Sequence, residues 1–283
     1  MYYKSKYPGS IGEVFQGKIG GRDLLLSFPC DVYTEVTLKE EKREELEINN
    51  KKCYEFLENI LKLWGYEKLY KNFTIDIKSN IPRGKGFASS TADICALYNC
   101  LLKCFNRDFS VEELIKLAIA IEPTDSIVFE KATLFQYKKG DFLLELGNYM
   151  ELYIMVYEGK KSINTVQFNE QSIEDLAHLD YLEKDLIKAF HEKDIKALAK
   201  ISTESIIKNQ KRLYYDILDE VIKISKDTEG VGILGAHSGD MLGIIYESEE
   251  KMIKALNLNI KVKDYRCYGI KTLKSIDTYR KRR

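Results

Sequence analysis

The sequence is short of several things, and each shortage removes a class of function. Three histidines (His178, His191 and His237) in 283 residues make a histidine-based metal cluster a poor fit. Six cysteines are present, but none forms a C-x-x-C pair, and Cys95, Cys100 and Cys104 fall on one predicted helix as small core or surface residues. No disulfide framework and no signal peptide are visible, so the expected compartment is the cytoplasm. No apolar run is long enough to span a bilayer, and no membrane partner is expected. Excess charge is absent too: 44 basic residues balance 44 acidic ones, which leaves no chain-wide footprint for nucleic acid. The basic run Tyr279–Arg283 reads as a solvated tail. Heptads, internal repeats and low-complexity stretches are missing as well.

What remains is an ordinary globular composition, 45% apolar and 31% charged, with ample material for a core. The chain is organised around Ile81–Asp93. An alternating run, Phe73–Ile77, reads as a half-buried strand before it. After it, Ile94, Leu97, Leu101 and Phe105 recur at helical spacing. Between them Pro82 stiffens the entry, while Gly84 and Gly86 permit positive φ and close approach of backbone N–H groups. Ser89, Ser90 and Thr91 offer hydroxyls at a helix start, where unpaired N–H groups attract anions. The loop is neither a Walker P-loop, since no G-x-x-x-x-G-K-[ST] occurs there, nor a Rossmann turn, since Ser89 stands at the third glycine position. Glycine and serine before a helix also serve simply as turn and cap.

Two other glycine-rich stretches frame the chain. Tyr7–Gly17 suggests an irregular strand close to a ligand or another backbone, with Gly20-Gly21 turning into Leu24–Leu26. Near the far end, five glycines within Gly230–Gly243 imply a tight loop joining strands. Between these stretches the pattern predicts a strand over Asp31–Leu38 and a charged connection over Lys39–Glu47. A helix is predicted over Cys53–Leu63, and a second is opened by the capping box Ser110-Val111-Glu112-Glu113. A hairpin about Lys139–Asp141 and a strand over Leu152–Tyr157 follow. Three helices are predicted near Ile173–His191, Asp194–Gln210 and Leu213–Ser225, the first behind a Ser172/Asp175 capping box. Lys251–Leu256 and a last strand near Tyr265–Ile270 close the chain. Helix Ser110–Ile121 ends at Glu122-Pro123-Thr124-Asp125, because proline drives the preceding residue out of helical geometry. The two carboxylates there suit a Mg²⁺ ion and a substrate hydroxyl, or equally a structural turn.

The three glycine-rich segments, in this order, resemble the three motifs of the GHMP kinases, the family of galactokinase, homoserine kinase and mevalonate kinase. Ile81–Ala92 is similar to P-x-G-x-G-L-G-S-S-A, with Phe87 and Ala88 replacing its Leu-Gly pair. Tyr7–Gly17 is similar to the first motif, with Ser10 where several members carry lysine. Gly235–Gly239 is similar to the third, with Asp240 at a position that is usually small. Together with Ile121–Ser126, these segments look most like the L-threonine kinase branch of cobalamin synthesis.

The resemblance implies an α+β, two-lobed fold. Residues 1–150 would form an ATP-binding half with a ribosomal-protein-like βαβ unit, and residues 151–283 a ferredoxin-like half. It also implies transfer of a phosphoryl group from Mg·ATP to the L-threonine hydroxyl, giving O-phospho-L-threonine. Alternatives are another small alcohol such as homoserine, or a catalytically silent nucleotide-binding relative. Pro82, Arg83, Gly84, Lys85, Gly86, Phe87, Ala88, Ser89 and Ser90 would hold ATP. Ser90 and Glu122 would face Mg²⁺, and Asp125 would be the acid nearest the acceptor hydroxyl, either as base or to orient it. Ser10, Glu13, Gln16, His237 and Ser238 are the acceptor-binding candidates. Arg83 or Lys85 would supply the cation that Ser10 does not. A small-molecule partner is expected, with a homodimer left open.

Overall fold

The computed structural model describes residues 1–42, 50–161, 174–236 and 239–276. Two long strands, β1 (Tyr2–Ile19) and β2 (Arg22–Glu40), form the first hairpin. Gly20 and Gly21 turn it with φ of +57° and +74°, the geometry that matches the twist of a tight hairpin. The strand expected over Asp31–Leu38 is therefore the far half of β2, since the apolar run Leu24–Phe28 continues the pairing without a break in the strand. Helix α1 (Lys51–Trp64) buries Phe56, Leu57, Ile60 and Leu61 on one side and stops at Gly65 in the left-handed region. Strand β3 (Phe73–Ser79) and helix α2 (Ser89–Phe105) flank the glycine loop. Every residue of α2 from Thr91 to Leu102 is buried, so this helix is the centre of the N-terminal lobe.

Helix α3 (Val111–Ile119) starts at Ser110, whose hydroxyl accepts from Glu113 N–H. Only this half of the capping box forms. The Glu113 carboxylate is taken instead by Tyr98 Oη at 2.7 Å and Trp64 Nε1 at 2.8 Å, and Tyr98 Oη accepts from Ser110 N–H. A 3₁₀ turn at Ser126–Val128 leads to the hairpin β4 (Ala132–Gln136) and β5 (Leu143–Gly147). The C-terminal lobe then runs β6 (Tyr153–Glu158), α4 (Glu183–Glu192), α5 (Ile195–Lys208), α6 (Leu218–Asp227), β7 (Gly232–Gly235), β8 (Met241–Tyr246), α7 (Glu249–Asn257) and β9 (Arg266–Lys271). The helix expected from Ile173 begins only at Glu183. Residues 176–179 instead lie along β1, where Lys18 N–H donates to Ala177 O and Leu179 N–H donates to Lys18 O. Likewise α6 opens five residues after the expected Leu213. Ser172 of the capping box and the basic tail from Tyr279 lie outside the described residues.

One antiparallel nine-stranded sheet joins the lobes in the order β5-β4-β2-β1-β7-β8-β6-β9, with β3 on the far half of β2. Among the described residues the lobes meet in it through one β1–β7 pair, Glu13 with Gly235, and through an isolated bridge between Cys30 and Thr272. Past that pair the β1 edge finds other partners, as buried backbone must. Ser205 Oγ bonds both Gln16 N–H (3.0 Å) and Gln16 O (2.8 Å), and Asn209 Nδ2 donates to Gln16 O at 2.9 Å. A large core spans both lobes, and a smaller one lies among β6, β8, α6 and α7. Among the described residues no helix is long and apolar enough to cross a membrane.

Candidate functional site

The three glycine-rich segments converge on one point. Ser10 N–H donates to Phe87 O at 3.0 Å and Gly12 N–H to Gly86 O at 3.1 Å, which stitches the central loop to β1. A Cβ on Gly86 (φ +90°) would fall 2.1 Å from Ala236 Cβ, and one on Gly239 would fall 2.3 Å from Lys85 O. The loop is therefore packed between β1 and the β7–β8 turn at distances that no larger residue fits. Tyr215 Oη fixes that turn by donating to Ala236 O and lying 3.2 Å from Gly239 O. Asp240 clamps it from the other side. Its Oδ2 accepts from Lys161 N–H at 2.7 Å, and its Oδ1 from Tyr265 Oη at 3.2 Å. Of the third motif, His237 and Ser238 lie outside the described residues.

The loop delivers the start of α2 in an open state. Ala88 occupies the N-cap at φ +50° and ψ +34°, and no side chain caps the helix. The left-handed angle is one that glycine adopts more readily than alanine. The first N–H groups of α2 consequently receive no acceptor from the N-cap side chain, next to Gly84 (φ +69°) and Gly86. Such a helix start binds anions, and its donors fit the phosphates of a nucleotide. Ser89 and Ser90, half-buried, sit on this first turn.

The two cations of the loop are engaged elsewhere. Lys85 Nζ donates to Gly159 O at 2.8 Å and to Lys161 O. Arg83 Nη2 lies 3.0 Å from Asp93 Oδ2, while Thr34 Oγ1 donates to Asp93 Oδ1 at 2.6 Å. Pro82 is half-buried, and Phe87 is packed into the core.

Asp125 stands beside the start of α2, where its N–H donates to Thr91 Oγ1 at 3.3 Å. Pro123 ends the preceding helical run, and Asp125 then caps the 3₁₀ turn, with Oδ1 accepting from Ile127 N–H at 3.0 Å. Its other oxygen, Oδ2, accepts from Ser27 Oγ at 3.0 Å and from Ser10 Oγ at 3.4 Å. Burial pushes this carboxyl up to about 6, against the lowering pull of those three hydrogen bonds. Glu122 is held differently. Its Oε2 is 2.6 Å from Lys52 Nζ, and its buried Oε1 has no hydrogen-bond partner among the described residues. No group of three or more His, Cys, Asp or Glu converges on a metal position among the described residues. Ser90, on the first turn of α2, can offer a single oxygen to a hard ion that keeps several waters, whereas Glu122 is committed to Lys52.

The structure thus brings Ser10 and Asp125 together with the loop and places Glu13 opposite Ser27 on β2. Gln16 lies further along the same strand, buried, with Oε1 unpartnered. Sequence reasoning missed Ser27, Lys52 and Asp93, and it named Thr91 only as one of the hydroxyls at the helix start. A separate cavity of about 320 Å³, lined by Asp227, Thr228, Glu250, Lys251 and Leu258 among others, shares no residue with this site.

The chain is similar to known proteins over most of its length. The description "GHMP kinases N terminal domain" matches residues 51–130, and "GHMP kinases C terminal" matches residues 186–260. Together they take in more than half of the chain. An L-threonine kinase of Citrobacter freundii is 27% identical over 248 residues, 85% of either chain. A 4-diphosphocytidyl-2-C-methyl-D-erythritol kinase of Carboxydothermus hydrogenoformans is also 27% identical, over 187 residues covering 63% of this chain and 62% of its own. Among solved structures, homoserine kinase from Cytophaga hutchinsonii superposes with a TM-score of 0.71 at 16% identity, covering 97% of this chain and 95% of the other.

Proposed function

The chain belongs to the GHMP kinase superfamily, whose members are ATP-dependent small-molecule phosphotransferases, and from that premise we propose that its acceptor is a small hydroxy amino acid, L-threonine first among them. The product would be O-phospho-L-threonine, with cobalamin synthesis as its destination. The observation that carries the acceptor chemistry is Asp125, half-buried, oriented by Ser10, Ser27 and Thr91 beside an uncapped helix start. Mg·ATP supplies the γ-phosphoryl group and the neutralising charge; the protein supplies alignment. The N–H groups at the start of α2 and around Gly84–Gly86 bind the phosphates. Ser90 would hold the ion through one oxygen, while Glu122, the other candidate, is committed to Lys52. Asp125 takes the proton of the acceptor hydroxyl as its oxygen bonds to the γ-phosphorus and the bond to the β-phosphate oxygen breaks, releasing ADP. A carboxyl raised to about 6 is a stronger base than an ordinary one and is still ionised at neutral pH.

A second acceptor reading has its own support. The similarity to the methylerythritol-type kinase is as high in identity as that to the threonine kinase, though over a shorter stretch. Another small alcohol is therefore the competing substrate. ADP release assayed with L-threonine, L-serine, L-homoserine and 4-diphosphocytidyl-2-C-methyl-D-erythritol separates the two. L-Threonine should give the highest kcat/KM. Preference for the cytidyl alcohol would sink the amino-acid reading and leave the kinase standing. For the metal role, Ser90→Ala should raise the Mg²⁺ concentration needed for half-maximal rate. Normal metal dependence with a shifted acceptor KM would move Ser90 to the acceptor pocket.

A further inference from the structure

Among the described residues, several buried side-chain atoms near this site have no hydrogen-bond partner, Gln16 Oε1 and Tyr137 Oη among them. Gln16 is 5% exposed and Tyr137 is 4% exposed, yet neither Gln16 Oε1 nor Tyr137 Oη makes a hydrogen bond. Groups of this kind cost stability when left unpaired, and native interiors rarely keep them without a use.

Sheet register relates these two residues. Gln16 lies opposite Leu25, and Leu25 lies opposite Phe135 of β4. Directly opposed residues share a face, so Phe135 lies on the face of Gln16, and Tyr137 is buried one residue beyond the end of β4. Glu13 lies opposite Ser27, two residues from Leu25, and the register shift between Glu13 and Phe15 keeps Glu13 on the same side as Gln16. Ser10, opposite Pro29, extends the row. The face therefore begins at Ser10 and Ser27, which hold Asp125, and continues through Glu13 to Gln16, with Tyr137 just past the end of β4. Ser27 to Leu25 is a step of roughly 7 Å along the strand.

Arg212 supplies the opposite charge. The chain leaving α5 is pinned over β1 by Asn209 on Gln16 O, and a turn from Asn209 O to Arg212 N–H (2.9 Å) then carries Arg212 to the site. Its Nη1 donates to Glu174 O at 2.9 Å. Burial raises the Tyr137 hydroxyl well above its usual range; the Arg212 charge opposes that rise, and Asp23 and Glu13 add to it. Arg212 and Glu13 are thus both close enough to Tyr137 to act on its hydroxyl.

We infer that this face is the acceptor subsite and that it reads an α-amino acid as a zwitterion. Arg212 and the Tyr137 hydroxyl take the carboxylate, while Gln16 Oε1 and the Glu13 carboxylate take the ammonium. The side-chain hydroxyl then lies at the Asp125 end. This assignment rests on the kinase reading above and adds to it the part of the acceptor that does not react.

The test compares L-threonine with 1-amino-2-propanol, the same skeleton without its carboxylate, by calorimetric binding and by turnover. The wild-type protein should favour L-threonine by roughly 10- to 100-fold, the usual worth of a charge-assisted contact. Arg212→Gln should abolish that preference and leave the KM for ATP unchanged. Gln16→Leu and Tyr137→Phe should weaken L-threonine binding at least about tenfold while the empty protein melts no lower than wild type, because each removes an unpaired buried atom. A purely structural role would lower the melting temperature instead. Unchanged L-threonine affinity in folded Arg212→Gln and Tyr137→Phe proteins overturns the inference and leaves the kinase reading untouched. So does a wild-type protein that phosphorylates another alcohol and binds no L-threonine. Arg212-dependent binding without phosphorylation of any alcohol has the opposite meaning: the subsite stands and the kinase reading falls.

Discussion

Two acidic neighbourhoods lie within a few residues of the same helix start, and they are built on opposite principles. Asp93 and Glu122 are buried with cations. Arg83 lies 3.0 Å from one and Lys52 lies 2.6 Å from the other, and Thr34 completes the set. Asp125 is surrounded by hydroxyls and a backbone N–H, from Ser10, Ser27 and Ile127. A cation beside a carboxylate opposes the proton uptake that burial favours, as Arg83 and Lys52 do at Asp93, although burial still raises that carboxyl. Asp125 has only neutral donors to oppose burial, and it rises to about 6. The first arrangement stabilises the lobe, whereas the second keeps a group in reserve for chemistry and weakens the fold in doing so.

The strongest way to break this contrast is Asp125→Asn. The amide keeps the shape, and the Ser10 and Ser27 hydroxyls can turn to accept from it, but charge and basicity are gone. Turnover should fall by roughly 10²–10⁴, with the KM for ATP nearly unchanged. A variant that keeps full kcat would return Asp125 to the status of a turn residue.

Next in size is Lys52→Met, which strands Glu122. Removing one partner of a buried pair is costly, although Lys52 is 39% exposed and water takes up part of the loss. A destabilisation of about 1–3 kcal/mol in urea titration is expected. Adding Glu122→Gln should recover most of it, which a double-mutant cycle reads directly. If Lys52→Met is neutral, Glu122 is not the structural acid described here.

The same Asp125→Asn protein should also be more stable than wild type. The folded pKa of about 6 stands above that of an unfolded aspartate, near 3.9. The folded state therefore binds the proton more tightly, and its advantage is complete below about pH 4 and lost as pH rises through about 6. Asparagine escapes that loss. At pH 7–8 the variant should gain on the order of 1–3 kcal/mol, vanishing near pH 4. Wild-type kcat/KM should in turn rise with pH through about 6 as the carboxylate forms. A flat profile across pH 5–7, with no stability gain in the variant, would remove the proton-acceptor role.

Much of this was legible in the sequence, and the reasons are local. Gly84, Gly86 and the run of hydroxyls announce a loop before a helix, because glycine and helix caps act within a few residues. Pro123 marks where the acid-bearing turn begins for the same reason. Ser27, Lys52 and Arg212 carry no such mark. Each reaches its place through strand register or helix packing across scores of residues: Ser27 to Asp125, Lys52 to Glu122, Arg212 to Tyr137. The helix expected from Ile173 failed similarly, because residues 176–179 satisfy their backbone on β1 rather than on one another. Glu113 shows the same override at a single residue, since Trp64 and Tyr98 outbid its own helix N-terminus.

The smallest expected effect sharpens the comparison from its weakest member. Arg83 is paired with Asp93, but its side chain is 57% exposed, and an ion pair open to water contributes little. Asp93 also keeps the Thr34 hydrogen bond at 2.6 Å when the guanidinium is gone. Burial raises the Asp93 carboxyl, with Thr34 first and Arg83 next among the groups that lower it, so losing Arg83 should push the carboxyl further up without emptying the site. Arg83→Ala should accordingly cost no more than about 1 kcal/mol, and less at high salt. Its position on the phosphate loop gives the same variant a second readout. While the guanidinium stays on Asp93, the KM for ATP should change by less than about threefold, the equivalent of an exposed ion pair. A rise beyond about tenfold at unchanged stability would mean that Arg83 leaves Asp93 for the nucleotide, and that this acid is a resting place for a working cation rather than part of the lobe's framework.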